Sequence, residues 1–216
     1  MHRVFLRSDR CAIGLFLCLL IAANASASIV DNTGAGFAIP DNNTTATTST
    51  ITLGVDETIS NIEVSIFGLS HTWVGDLIAR LQSPDGTTAD LFVRVGAGTF
   101  GDGSDLNGDY TFADGGLDFG AAVGAVGTNV TVPGGTYGAA TDGEIPISLV
   151  TEFGGQSTLG DWTLSISDNA QFDTGSFTGW GLNITSNITA VPEPGSLMLV
   201  VLSGAVLLKR RRRKRS

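Results

Sequence analysis

Apolar and polar residues alternate at period two through the middle of this chain. Between Ser28 and Ala190 no helical period is sustained, whereas short alternating runs recur. Each run predicts a strand with one apolar and one largely polar face, as in antiparallel sheets that meet water on one side. The apolar positions of the six runs are Ile51, Leu53, Val55; Ile62, Val64, Ile66; Leu77, Ala79, Leu81; Leu91, Val93, Val95; Trp162, Leu164, Ile166; and Trp180, Leu182, Ile184.

Turn-forming residues separate these predicted strands. In Ser83-Pro84-Asp85-Gly86 the proline presets the backbone of the first central turn position, and the glycine accepts a positive φ. Short strands with frequent Gly, Asp and Pro turns predict an all-β fold, a two-sheet antiparallel sandwich of jelly-roll type with about eight strands. Two glycine-rich stretches, 96–127 and 128–143, are predicted to be long loops with one strand at 129–132.

The first 27 residues have the organisation of a secretory signal peptide. Three arginines precede an apolar run from Cys11 to Ala23, and small residues follow it. We therefore predict that signal peptidase cleaves between Ala27 and Ser28, and that a short linker follows at 28–37. Cleavage before Ser26 and an uncleaved anchor helix remain alternatives.

Removal of this leader changes both the cysteine count and the charge of the chain. Cys11 and Cys18 lie within the leader, so the mature chain has no disulfide and no cysteine nucleophile. The segment between Ser28 and Ala190 contains nineteen acidic residues, and its only basic residues are Arg80 and Arg94, so its formal charge is −17. Such a surface disfavours nucleic acid, which is itself a polyanion.

The C-terminal segment 189–216 has three parts in a fixed order. Pro192-Glu193-Pro194 precedes an apolar run at 195–208 and a basic tail at 209–215. The apolar run is shorter than the roughly 20 residues of a typical membrane helix. We predict a short transmembrane helix there, with the basic tail on the cytoplasmic side.

This three-part segment resembles the PEP-CTERM sorting signal of Gram-negative bacteria that produce exopolysaccharide. The resemblance implies an exosortase-type enzyme as a partner, which cuts near Pro192, Glu193 and Pro194 and passes the protein to the cell surface. It also implies a protein of the cell envelope, held by its C-terminal helix or released to the cell surface or extracellular matrix after processing. A plain C-terminal membrane anchor is the alternative.

A series of motifs across the middle of the chain resembles the P domain, or Homo B domain, of proprotein convertases. The resemblance spans 38–185, and we place the domain at 38–188. It implies a jelly-roll sandwich without a catalytic triad, which in convertases follows a subtilisin-like catalytic domain and supports its folding and its calcium or pH behaviour. The motifs are Ile39-Pro40-Asp41, His71-Thr72-Trp73-Val74-Gly75-Asp76-Leu77, Leu81-Gln82-Ser83-Pro84-Asp85-Gly86-Thr87, Gly160-Asp161-Trp162-Thr163-Leu164, Asp168-Asn169-Ala170, Asp173-Thr174-Gly175 and Gly179-Trp180-Gly181-Leu182.

The residues needed for hydrolysis are scarce in the predicted mature chain. His71 is its only histidine, and no Gly-x-Ser-x-Gly nucleophile elbow occurs. One histidine without cysteine does not supply the usual ligands of catalytic zinc. Composition leaves a carboxylate-based glycosidase open, although glutamate is rare. We predict no catalytic residue, and a role for His71 as a strand-entry residue hydrogen-bonded beside Asp76.

Two groups of oxygen-bearing side chains predict calcium sites. Alternating oxygen ligands on one loop are typical of calcium-binding sequences. The first group departs from an EF-hand because its glycine, Gly108, precedes the third ligand and no glutamate follows at the twelfth position. Turn-forming Asp and Asn residues are the alternative. The predicted ligands are Asp102, Asp105, Asn107, Asp109 and Asp114 in the first group, and Asp168 and Asp173 in the second.

These observations together predict an exported, surface-sorted, non-catalytic protein. Its expected work is structural or adhesive, in the cell envelope or the exopolysaccharide matrix, with calcium stiffening its loops. One alternative is a module that binds carbohydrate or another protein, for which Trp73, Trp162 and Trp180 could form a platform instead of core. The other alternative is an accessory domain of a secreted subtilisin-like protease.

Overall fold

Two antiparallel β-sheets pack face to face in residues 27–187, the part of the chain that the computed structural model describes. The predicted all-β sandwich is confirmed. The predicted signal peptide, the Pro-Glu-Pro motif, the transmembrane helix and the basic tail lie outside the described residues. Within residues 27–187 no helix has the length and apolar character needed to cross a membrane.

Strands dominate the described residues, and the two helices are short. The helices are α1 (Phe119–Gly124) and α2 (Leu149–Phe153), and 3-10 turns occur at Val74–Asp76 and Asp142–Glu144. The strands are β1 (Ala27–Ala35), β2 (Ala38–Ile39), β3 (Thr47–Leu53), β4 (Thr58–His71), β5 (Leu77–Gln82), β6 (Thr88–Val93), β7 (Asp105–Leu117), β8 (Thr131–Val132), β9 (Gly135–Tyr137), β10 (Ala140–Thr141), β11 (Ile145–Pro146), β12 (Gly160–Asp168), β13 (Gly175–Ser176) and β14 (Gly179–Asn187).

The larger sheet is built around β4, the longest strand among the described residues. Its order is β1-β14-β4-β13-β2, and β7 pairs with the other edge of β4. The smaller sheet has the order β3-β12-β5-β6, and β10 and β11 form a separate ribbon. The pairs between these long strands are antiparallel, whereas the short strands β8 and β9 run parallel to β7.

The six alternating runs place their apolar residues in the core between the sheets, as predicted. Their side chains are almost fully buried, with Trp162 and Trp180 at 0% exposure. Val55 is the exception at 49% exposure, because it follows the end of β3. Both buried indole nitrogens donate hydrogen bonds, Trp162 to the carbonyl of Thr158 at 3.0 Å and Trp180 to the hydroxyl of Ser49 at 2.9 Å. These two tryptophans are therefore core residues.

The prediction of a loop over 96–127 is wrong for much of that stretch, because the stretch contains strand β7 and helix α1. Leu106, Tyr110 and Phe112 alternate on the inner face of β7 and are buried. Gly108 interrupts this inner face and aspartates occupy outward-facing positions, and their turn-forming character hid the period-two pattern. In the stretch 128–143 the predicted strand is shorter than expected, since β8 covers Thr131–Val132, and the predicted loop after it contains the short strands β9 and β10.

The segment 28–37, predicted as a linker, contains most of strand β1. This strand pairs antiparallel with β14 from Ala27 opposite Asn187 to Ala35 opposite Gly179. The sheet therefore begins well before residue 38. Hydrogen bonding to the edge of β14 accounts for this strand, which the alternating pattern of the sequence did not mark.

The loop between β6 and β7 packs tightly on the 3-10 turn Val74–Asp76. The backbone N–H of Gly75 donates to the carbonyl of Asp102 at 2.9 Å, and the N–H of Asp102 donates to the carbonyl of Val95 at 2.7 Å. A Cβ atom on Gly75 would lie 2.5 Å from the backbone nitrogen of Asp102. Only a residue without a side chain permits this approach of two backbones.

We predict that Gly75→Ala lowers the free energy of unfolding by about 2 kcal/mol, because the added methyl group forces two backbone segments apart. Gly54→Ala is the matched control, since a Cβ there has nothing within 4 Å. This control is expected to be neutral, or to stabilise the fold by up to about 1 kcal/mol. Urea titrations of both variants measure the difference, and equal midpoints would contradict the packing.

Candidate ligand-binding cleft

A cleft opens at one end of the sandwich, where β4 ends and the loop from β12 to β13 begins. It encloses about 610 Å³ and is mostly apolar, with two carboxylates among its lining residues. We call it the end cleft. Its lining residues are Thr72, Trp73, Asp76, Phe100, Asn129, Ala170, Gln171, Phe172 and Asp173.

Hydrogen bonds between loops hold the walls of the end cleft in place. The indole nitrogen of Trp73 donates to the carbonyl of Phe100 at 2.7 Å, which joins the end of β4 to the loop before β7. The hydroxyl of Thr72 donates to the carboxylate of Asp173 at 2.6 Å, which joins the end of β4 to the loop after β12. These bonds join three of the four separate segments that form the walls, and Asn129 lies in the fourth.

A fully buried histidine–carboxylate contact lies at the same end of the sandwich. Nε2 of His71 lies 3.2 Å from Oδ2 of Asp168, and both side chains are 0% exposed. Nδ1 of His71 lies 3.1 Å from the backbone nitrogen of Trp73 and 3.0 Å from its carbonyl oxygen. Both ring nitrogens are therefore engaged by the protein, and neither is available to a substrate. The carboxylate in contact with His71 is that of Asp168. The sequence had instead predicted a hydrogen-bonded position beside Asp76.

Asp76 is a buried carboxylate without a hydrogen-bond donor on Oδ1. Its residue is 2% exposed, and no donor in residues 27–187 reaches that oxygen atom. Burial, together with the negative charges of Asp168 and Asp173, raises the pKa of Asp76 to about 6, against the opposing effect of His71 and Arg94. This corner of the cleft therefore carries excess negative potential.

Two aromatic side chains project from the rim of the end cleft into solvent. Phe100 is 66% exposed and Phe172 is 90% exposed. Phe172 has a φ of 90°, a backbone conformation that costs a non-glycine residue of order 1 to 3 kcal/mol. Its backbone N–H donates to the carboxylate of Asp41 at 2.9 Å, which holds the loop in this conformation.

The first group of predicted calcium ligands is spread along a strand instead of around a loop. Asp105, Asn107 and Asp109 alternate along the outer face of β7, so their spacing reflects the strand period. Asp109 accepts a hydrogen bond from the backbone N–H of Gly68 at 2.7 Å. Oδ1 of Asp105 is buried without a donor in the described part of the chain.

The remaining predicted ligands serve the turns and caps of the fold. The carboxylate of Asp102 accepts from Ser104, that of Asp114 from Leu149 and Ser148 at the start of α2, that of Asp168 from His71 and Ala170, and that of Asp173 from Thr72. Among residues 27–187 no three His, Cys, Asp or Glu side chains come together as a metal would require. Calcium binding by these residues stays a prediction.

Sequence reasoning located only part of this cleft. Of the lining residues, Asp173 belongs to a predicted group, and the motif from His71 to Leu77 contains Trp73 and Asp76. Phe172 lies inside the Asp168–Asp173 segment as an isolated apolar residue, which was a usable signal. The sequence gives no indication of Phe100 or Asn129, because their positions depend on contacts between distant segments.

The C-terminal part of the sandwich is similar to a known protein family. Residues 125–184 match the model of the proprotein convertase P-domain family. The matched segment includes β12 and the loop with Asp168 and Asp173. This match supports the P-domain interpretation for residues 125–184, whereas the motifs before residue 125 fall outside it.

Solved structures of a serine protease of Aeromonas sobria are similar to this chain. The protease in complex with the chaperone ORF2 is 17% identical, covers 75% of this chain and gives a TM-score of 0.44. A structure of the protease covers 74% of this chain at 16% identity and a TM-score of 0.43. The chain spans 28% and 27% of the lengths of those proteins. No curated protein matches the chain.

We predict that Asp76→Asn stabilises the fold at neutral pH. The folded state holds the proton of Asp76 more tightly than the unfolded chain does, because the pKa rises from 3.8 to about 6. The free energy of unfolding of the parent protein therefore falls as the pH rises from about 4 to about 6, and stays lowered above that range.

The variant lacks this penalty and should gain about 2 kcal/mol at pH 7.5, with little gain at pH values below about 4. Urea titrations at the two pH values measure the difference. Asp161→Asn, which removes the same charge from an exposed strand position, is the control. A gain at pH 7.5 that is the same in both variants would show that net charge, and not burial of Asp76, is responsible.

Proposed function

We propose that this chain is an exported, non-catalytic accessory domain of P-domain type that associates with a subtilisin-like serine protease. The observation that carries the proposal is the match of residues 125–184 to the proprotein convertase P-domain family. By that resemblance the module accompanies a subtilisin-like catalytic domain and supports its folding. The matched segment includes Asp168, whose contact with His71 organises one end of the sandwich.

The chemistry of the described residues supports an accessory role over a catalytic one. His71, the histidine on β4, has both ring nitrogens engaged, so it does not provide a general base. The end cleft instead presents exposed Phe100 and Phe172 beside a buried carboxylate. Exposed aromatic side chains around a pocket are typical of binding surfaces.

A tagged full chain purified from the envelope of its own host tests this proposal. We expect a subtilisin-like serine protease to co-purify, and an active-site-directed fluorophosphonate probe to label that protease and not the chain itself. The probe reports an active serine nucleophile, so it tests both halves of the proposal. The control is a parallel purification from cells that carry the untagged chain, which should recover no protease. Labelling at the mass of the chain, or no co-purifying protease, would contradict the proposal.

A second candidate function is a structural or adhesive role at the cell surface. It is favoured by the C-terminal series Pro192-Glu193-Pro194, an apolar run and a basic tail, which resembles a PEP-CTERM sorting signal. In this proposal the sandwich is sorted by an exosortase-type enzyme and works in the envelope or the exopolysaccharide matrix. Recovery of polysaccharide without a protease in the same purification would favour this function over the first.

Both candidate functions place the mature chain outside the cytoplasm, and its termini provide the test. We expect mass spectrometry of the envelope protein to find an N-terminus at Ser28 and a C-terminus near Pro192 to Pro194. A C-terminus at Ser216 would identify a plain anchor in place of a sorting signal. An N-terminus at Met1 would show that the leader is retained.

A further inference from the structure

We propose that the end cleft binds a basic side chain, arginine in preference to lysine, presented by a partner protein. The proposal does not rest on the protease association, because any exported protein with an exposed basic residue would satisfy it. It rests on three observations at one place: a buried carboxylate oxygen without a donor among residues 27–187, exposed aromatic walls, and an acidic surface with two arginines in the described residues.

The carboxylate of Asp76 is the first observation. Oδ1 of Asp76 is buried, lacks a donor among residues 27–187, and belongs to a residue that lines the end cleft. A buried acceptor without a partner costs roughly 1 to 3 kcal/mol, and more when it carries charge. A guanidinium or ammonium group bound in the end cleft would neutralise the charge of this carboxylate.

The two arginines of the described residues do not donate to this oxygen. Arg80 and Arg94 are the only basic residues between Ser28 and Ala190. Arg80 pairs with Asp90 at 2.5 Å, and Arg94 donates to the carbonyls of Gly75 at 3.1 Å and Thr99 at 2.8 Å. Arg94 therefore lies close enough to act on the charge of Asp76 but does not bond to Oδ1, so a cation that pairs with this carboxylate comes from outside the described residues.

The walls of the end cleft fit an organic cation better than a bare metal ion. Trp73, Phe100 and Phe172 line the space, and aromatic faces attract guanidinium groups, which are weakly hydrated and planar. Apolar walls of this kind offer nothing to calcium, which binds through several oxygen ligands. A volume of about 610 Å³ also lies in the range of organic ligand sites.

Charge complementarity restricts the ligand further. Asp76 and Asp173 both line the end cleft, and the segment from Ser28 to Ala190 carries a formal charge of −17. A carboxylate or phosphate ligand would be repelled by this field, whereas a basic segment would be attracted from a distance. Asp173 is held by Thr72 at 2.6 Å, so its charge is fixed in position before the ligand arrives.

The test uses the purified full chain and short acetylated, amidated peptides with one central residue among alanines. Calorimetry compares peptides with a central arginine, lysine, citrulline or leucine. We expect the arginine peptide to bind most tightly and the citrulline and leucine peptides at least about tenfold more weakly, because they lack the charge. Added salt should weaken the arginine peptide in particular.

Two substitutions with matched controls locate the binding. Asp76→Asn should weaken the arginine peptide about tenfold or more, whereas Asp161→Asn should change it less than about twofold. Phe172→Ala should weaken it about threefold or more, whereas Leu117→Ala, at 71% exposure outside the end cleft, should have no effect. Phe172 is 90% exposed, so its truncation is not expected to unfold the domain.

Five outcomes would overturn the proposal. These are no binding of the arginine peptide at millimolar concentration, equal binding of the leucine peptide, and equal weakening by Asp76→Asn and Asp161→Asn. The fourth is displacement of the peptide by calcium chloride alone at low concentration, which would assign the carboxylates to a metal. Binding that appears only after the basic residues of 209–215 are replaced by glutamine would assign the end cleft to the chain's own tail instead.

Discussion

The buried contact between His71 and Asp168 joins the two sheets at the end where the cleft opens. His71 is the last residue of β4 in the larger sheet, and Asp168 is the last residue of β12 in the smaller sheet. Nδ1 of the same imidazole also lies beside the backbone of Trp73, where the chain leaves β4. Because the pair is fully buried, loss of either member would leave an uncompensated polar group in the interior. The positions of the loops around the end cleft depend on this contact.

The alternating pattern located those strands whose buried face is continuously aliphatic or aromatic. It predicted β12 correctly, because Trp162, Leu164 and Ile166 alternate along the strand and all three are buried. It failed for β7, because Gly108 interrupts the buried face and aspartates on the outer face resemble turn residues. It also failed for β1, whose order follows from hydrogen bonds to β14. An alternating apolar–polar pattern reflects which side chains are buried, so it does not detect a strand that is held mainly by backbone hydrogen bonds.

The end cleft was predictable only where one short segment contains several of its residues. The motif from His71 to Leu77 places Trp73 and Asp76 three residues apart, and the 3-10 turn brings both to the same opening. Phe100 reaches that opening because Gly75 and Gly101 allow two backbones to touch, with a Cβ on Gly101 falling 2.6 Å from the Cα of Gly75. Contacts of this kind depend on shape, and a single sequence does not encode them in a visible pattern.

The pairing of β1 with β14 has a geometric consequence for how the domain is displayed. Ala27 lies opposite Asn187, so the chain enters and leaves the sandwich side by side. Asn187 is also opposite Thr58, the first residue of β4, whereas the aromatic rim lies beyond His71, the last. At the usual rise of a strand these ends are roughly 40 Å apart. Anything joined to the chain at Ala27 or after Asn187 is therefore attached at the pole of the sandwich opposite the aromatic rim.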